Sequence, residues 1–224
     1  MIKYVGVGLV STQKHENHKK EQNMKPQYGF FGGCFNPVTN AHVNLASLVV
    51  EQYSLDRLVF VPMGDNYQKS DLANEKHRYE MLKLATKNQT KLEVSDIELN
   101  LPYNLTMLQA FQKIQENYKD VTPYFIIGAD NLMKLTKLFD FEILAKNYEY
   151  IIIERDIPIK QLFTIEPILQ QYYTHFHILE NNPYKQISAS EVRTLLKSKQ
   201  GKESCRMIPK EVYEYIKQND LYIE

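Results

Sequence analysis

Two stretches of this chain carry residue types at a spacing suited to holding phosphate. The first, Tyr28 to His42, reads Tyr-Gly-Phe-Phe-Gly-Gly-Cys-Phe-Asn-Pro-Val-Thr-Asn-Ala-His. A short apolar run, Tyr28 to Phe31, is cut by Gly32 and Gly33, and the Asn36-Pro37 pair keeps the backbone extended before an amphipathic helix starts near Asn40. Glycines let the backbone approach a ligand where a Cβ would collide, and the free N–H groups of a first helical turn attract anions. His42 falls in that turn, where its imidazole can reach a phosphate held over the glycines. Thr39, three residues earlier, can point a hydroxyl at the same spot. The second stretch is Ile187-Ser-Ala-Ser-Glu-Val-Arg193. Ser188 with Glu191 makes a capping box, and Ser190 and Arg193 share a helical face. Together they offer hydroxyls, free N–H groups and a guanidinium to one polyphosphate.

Taken singly, each feature has a plainer structural reading. Two glycines make a turn, a histidine at a helix start is a cap or a surface residue, and Ser-x-x-Glu is only a helix N-terminus. Cys34 reads as a small turn residue. His175 and His177 alternate along a strand and could share a metal, but the pattern offers no third ligand nearby, so they read as surface histidines.

The elements that must position these groups alternate along the chain. Tyr28–Phe31 reads as a strand, and the helix 40–52 carries Val43, Ala46, Val49 and Val50 on one face. A buried strand follows at Arg57 to Met63, then a helix at Glu75 to Lys87 with Tyr79, Leu82 and Ala85 inward. An alternating strand is expected from Lys91 to Leu99. Next come a helix with Leu108, Phe111 and Ile114 inward and a strand from Pro123 to Gly128. Further strands are read at Tyr148 to Glu154 and His175 to Leu179, and closing helices from Ser190 and from Pro209. Strands separated by helices imply parallel pairing with right-handed crossovers, and continuous apolar strands imply a sheet covered on both faces. The fold class is α/β, a doubly wound Rossmann-like parallel sheet in one domain with C-terminal helices. Ligands of such sheets bind beyond the carboxyl ends of the strands, which puts the Gly32-Gly33 turn and the Gly128-Ala-Asp130 turn on one edge.

Gly-Gly-x-Phe-Asn-Pro-x-Thr-x-x-His resembles the nucleotidylyltransferase signature Gly-x-Phe-Asp-Pro-x-His/Thr-x-Gly-His, with Asn36 in place of the usual Asp and Ala41 in place of a Gly. Ile-Ser-Ala-Ser-Glu-Val-Arg is similar to that superfamily's second motif, Ile-Ser-x-Ser-x-x-Arg. The Gly-x-Asp at Gly128 and Asp130, and the run Gly64-Asp-Asn-Tyr67-Gln-Lys69 followed by His77-Arg78, resemble the nicotinamide/nicotinate mononucleotide adenylyltransferase branch. So does the closing helix from Ile208 to Tyr222. The resemblance covers about residues 24 to 224.

This likeness implies adenylyl transfer from ATP to a pyridine mononucleotide, NMN or nicotinate mononucleotide, giving NAD or deamido-NAD and pyrophosphate. His42 and Thr39 are then the catalytic pair, and Gly32, Gly33, Phe35, Gly128, Asp130, Ser188, Ser190 and Arg193 hold ATP. Lys69 and Tyr67 would meet the mononucleotide. The chain has no tryptophan, so the ring stacking that family commonly gives to Trp falls to Tyr103, Phe139 or another ring. Arg78 reads as a structural ion-pair residue. The Gly-Asp-x-Tyr-x-Lys form tilts towards enzymes that take the amide nucleotide. Mg2+ is expected on the ATP phosphates, with no protein cage. Alternatives are a phosphopantetheine-type adenylyltransferase and a catalytically silent nucleotide sensor. A dinucleotide-binding oxidoreductase would need Gly-x-Gly-x-x-Gly after the first strand.

Composition narrows the classes further. The chain has 224 residues, with 27 Lys plus Arg against 27 Asp plus Glu, so nothing advertises a nucleic-acid partner. No apolar stretch approaches the roughly 20 residues of a membrane span, and two distant cysteines suit a reduced, cytoplasmic setting. Homo-oligomerisation is left open. Residues 1–23 hold His15, His18 and a dense polar cluster without an apolar face, and read as a leader dispensable for chemistry. A chain starting at Met24 is expected to fold and keep full activity, checked by circular dichroism and turnover; loss of either makes the leader integral.

Overall fold

A computed structural model describes residues 25–66, 71–154, 158–184, 188–198 and 201–222. Among these residues the strands are β1 (Gln27–Gly33), β2 (Arg57–Pro62), β3 (Leu92–Val94), β4 (Thr122–Gly128), β5 (Glu149–Ile153) and β6 (Phe176–Leu179). All pair in parallel, in the order β3-β2-β1-β4-β5-β6. The helices are α1 (Asn40–Gln52), α2 (Glu75–Thr86), α3 (Met107–Asn117), α4 (Ala129–Leu135), α5 (Phe141–Asn147), α6 (Ile159–Ile165), α7 (Ala189–Lys197) and α8 (Lys210–Gln218). A Rossmann-like α/β sheet is therefore confirmed.

The central strands are apolar without interruption because both of their faces are buried. On β2, Leu58 and Phe60 face one core with Val43, Ala46 and Val49 of α1, Met81 and Leu82 of α2, Val192 of α7 and Val212 and Ile216 of α8. Val59 and Val61 face the other, with Phe111 and Ile114 of α3, Leu132 of α4, Leu144 of α5 and Leu162 of α6. Chain direction across the sheet reverses between β1 and β4, which are neighbours. Their first crossovers leave on opposite sides, so the carboxyl ends of β1 and β4 open a crevice between the diverging loops.

The inward face expected for the helix at 40–52 is the buried face of α1. Thr39 starts that helix, and Ser54, with φ of 51°, turns the chain out after its end. Three expectations are corrected. The strand expected from Lys91 to Leu99 pairs only over Leu92–Val94. After it, Ser95 N–H still donates to Phe60, but the Ser95 hydroxyl then accepts from Ile97 N–H, and Leu99 N–H closes a turn on Asp96. These local bonds satisfy the backbone without a partner strand. On α2 the buried positions are Glu75, Arg78, Met81, Leu82 and Thr86, while Tyr79 and Ala85 are half-buried. The inward stripe thus runs through a charged residue that a hydrophobic pattern excludes. The third correction is at α3, where Leu108 is only half-buried and Ala110 fills the core beside Phe111 and Ile114.

Arg78 has no exposed surface and uses its whole guanidinium fork. Nε donates to the Ala73 carbonyl at 2.8 Å, Nη1 to the Cys34 carbonyl at 2.9 Å and Nη2 to Asp65 Oδ1 at 3.1 Å. The structural reading of Arg78 holds. Replacing it with Ala leaves two carbonyls and a carboxylate without their donor, and should cost about 3 kcal/mol or more. Arg78→Lys, with a single ammonium in place of the fork, should recover only part of this. Urea denaturation of both variants checks the order.

Candidate active site

The turn that follows β1 is shaped by Phe35. This residue has φ of 46°, and its ring is buried against Phe31 and Phe60 at centroid separations of 5.6 and 5.3 Å. A Cβ on Gly33 would come within 3.1 Å of that ring, which would have to give by a few tenths of an ångström. Gly32 differs: a Cβ there would meet nothing within 4 Å. It borders open space, where a ligand can lie close to the backbone.

His42 and Thr39 form a reciprocal cap at the start of α1. Thr39 N–H donates to His42 Nδ1 at 3.0 Å, and His42 N–H donates to Thr39 Oγ1 at 3.4 Å. Because Nδ1 accepts a backbone N–H, the neutral ring carries its proton on Nε2. Phe35 lies edge-on to the imidazole at 5.3 Å. Thr39 itself is wholly buried and lies outside the cleft lining. The expectation that its hydroxyl meets phosphate is therefore corrected: it orients His42 instead.

A cleft of about 1360 Å3 lies at the crevice. It gathers Gly32, Gly33, Phe35 and His42 from the first motif, Gly128 and Asp130 from the β4–α4 turn, and Ser188, Ser190 and Arg193 from α7. Ser188 caps α7 by accepting from Ser190 N–H at 3.1 Å, rather than from Glu191. The expected capping box is thus a shorter cap. Arg193 donates to the Asn36 carbonyl at 2.8 Å and lies 3.4 Å from Ser190 Oγ. Asp130 sits in the first turn of α4, paired with Lys134 at 3.4 Å across one helical turn.

Phe139 is fully exposed on the cleft rim, whereas Tyr103, also exposed, lies outside the lining. Of the two rings proposed for stacking, Phe139 lines the cleft and Tyr103 does not. Tyr67 and Lys69 lie outside the described residues, as do His15 and His18. His175 and His177 both reach the Glu149 carboxylate, each at 2.8 Å. They are partly exposed residues tied to Glu149, at the opposite end of the sheet from the cleft.

The description by family matches this geometry. A cytidylyltransferase-like family model covers residues 30–195. A Clostridium acetobutylicum protein named "Probable nicotinate-nucleotide adenylyltransferase" is 33% identical over 200 residues, covering 86% of this chain and 97% of the relative. The chain belongs to the nicotinate-nucleotide adenylyltransferase family. A Streptococcus pyogenes member of this family is 32% identical over 209 residues, spanning 92% of this chain and 93% of its own length. In fold, Plasmodium falciparum nicotinic acid mononucleotide adenylyltransferase complexed with NaAD superposes with a TM-score of 0.72 at 21% identity, covering 88% of this chain and 97% of that one.

Within this family member, Glu98 is a cleft residue that the sequence analysis did not select. Its side chain lines the cleft, and burial pushes its carboxyl up to about 7 against the opposing pull of Lys113. Folding thus favours the protonated form. The stability associated with that proton is complete below pH 4.5, the ordinary value, and is lost as pH rises through about 7. Glu98→Gln cannot lose it. The melting temperature of Glu98→Gln should gain on the wild type between these two pH values and run parallel to it outside them.

Proposed function

We propose that this enzyme transfers the adenylyl group of ATP to nicotinate mononucleotide, forming deamido-NAD and pyrophosphate. The convergence of His42, Gly32, Ser190 and Arg193 on one cleft carries this reading. The names of the relatives support the acid mononucleotide over the amide, against the tilt read from the Gly-Asp-x-Tyr-x-Lys form at Gly64, Asp65, Tyr67 and Lys69. NMN, which would give NAD, is the second substrate to test. This reaction belongs to NAD synthesis, and the two distant cysteines favour work in the reducing cytoplasm.

A mononucleotide phosphate oxygen attacks the α-phosphorus of ATP in line. The bond from that phosphorus to the bridging oxygen breaks, and pyrophosphate leaves with the bonding pair. No enzyme nucleophile takes part, so the chain contributes positioning and charge stabilisation. His42 Nε2–H donates to phosphate oxygens of ATP as charge grows there, its ring held by Thr39 from behind. Arg193 and the first turn of α7 hold the departing pyrophosphate. Gly32 lets the backbone lie against the nucleotide, Asp130 accepts from the ribose hydroxyls, and Phe139 offers a face to the pyridine ring. Among the described residues no group of three or more His, Cys, Asp or Glu could hold a metal ion. Mg2+ would enter with ATP, held largely by phosphate and water. It would neutralise phosphate charge.

Purified protein with ATP and Mg2+ is expected to form dinucleotide faster with nicotinate mononucleotide than with NMN, read by chromatography. No product in either tube, with ATP still bound, would turn the assignment towards phosphopantetheine or a silent sensor. His42→Ala should lower kcat by about 100-fold or more with an unchanged circular dichroism spectrum; near-normal turnover would remove His42 from the mechanism.

A further inference from the structure

Asn36 is nearly buried at the cleft wall, and four hydrogen bonds meet on it from distant parts of the chain. Its Oδ1 accepts from the Tyr222 hydroxyl at 2.6 Å and from Ala73 N–H at 3.0 Å. Its Nδ2 donates to the Asp71 carbonyl at 2.6 Å. Its backbone carbonyl accepts from Arg193 at 2.8 Å. The amide orientation is fixed by this pattern, since turning it over would set N–H against two donors and a carbonyl oxygen against another.

Tyr222 lies 186 residues further along the chain. Its backbone has φ of 59°, and Asp220 has φ of 50°, both left-handed conformations that L residues seldom adopt. The bend packs the Tyr222 ring against the core that carries α1, α7 and α8. Burial holds its hydroxyl protonated, well above the usual tyrosine range, with Arg193 and Arg78 opposing. It is thus a permanent donor to Asn36.

We propose that Tyr222 is a positioning residue which acts through Asn36, locking the Arg193 guanidinium and the Asp71–Ala73 wall to the turn after β1. Arg193 grips phosphate only if its fork is held at the height of that turn, and the Asn36 carbonyl sets the height. The Asn36 amide in turn ties the turn to the 71–73 wall, and the tyrosine hydroxyl keeps the amide from rotating. The consequence for catalysis rests on the adenylyl-transfer reading; the consequence for ATP binding does not.

The test is a double-mutant cycle on kcat/KM for ATP and on the affinity of a non-hydrolysable ATP analogue, with thermal midpoints measured alongside. Tyr222→Phe is expected to lose about tenfold in both, with its midpoint near that of the wild type. Asn36→Ala should lose more, and Tyr222→Phe should add nothing to it. Full additivity, or wild-type behaviour of Tyr222→Phe, overturns the inference. Should Asn36→Ala not fold, Tyr222→Phe alone decides: loss of kcat/KM and affinity at a constant midpoint supports it, and loss that only tracks a falling midpoint overturns it. A wild-type protein that makes no dinucleotide overturns the functional reading instead, and the cycle is then decided on analogue affinity.

Discussion

Carbonyls folded into a protein interior must find donors, and those of the turn after β1 find them from three directions. The Gly33 carbonyl accepts from Met63 N–H at 3.0 Å, the Cys34 carbonyl from Arg78, and the Asn36 carbonyl from Arg193. Buried backbone groups left unpaired would cost as much as a lost hydrogen bond each. The donors come from the end of β2, from α2 and from α7. The cleft therefore exists only when three separate crossovers have packed, which links the integrity of the site to that of the whole sheet.

The same arrangement explains why charged residues sit where apolar ones are expected. Arg78 spends a core position of α2 on holding two carbonyls and Asp65. Asp65 N–H and Asn100 N–H are in turn held by Glu75, at 2.9 and 2.8 Å. These bonds bring the segments beyond β2 and β3 to the cleft without adding strand. Pairing in β3 ends after three residues, and hydrogen bonds from side chains take over the backbone beyond it.

Two side chains of the cleft are held in fixed orientation, His42 by a cap and Arg193 by a carbonyl. This suits a displacement at phosphorus, where enzyme groups stabilise spreading charge and need not form bonds. Thr39 is tied into the same arrangement through its hydrogen bonds with His42.

The amino-acid sequence by itself determined the alternation of strand and helix, the parallel sheet and the two motifs at its carboxyl edge. These are encoded locally: uninterrupted apolar strands, the apolar stripe of α1, and glycines, caps and prolines at fixed offsets. Tertiary structure alone decided which motif residues face the cleft. Thr39 and His42 are equally polar and three residues apart, yet one is buried and the other lines the cleft. Tyr103 and Phe139 are both exposed rings, but only the loop between α4 and α5 brings its ring to the rim. The meeting of Asn36 with Tyr222, and the burial that lifts the Glu98 carboxyl, follow from packing between segments far apart in the chain. No local pattern carries such information, because a contact's partner and its dielectric surroundings come into being only when the core closes.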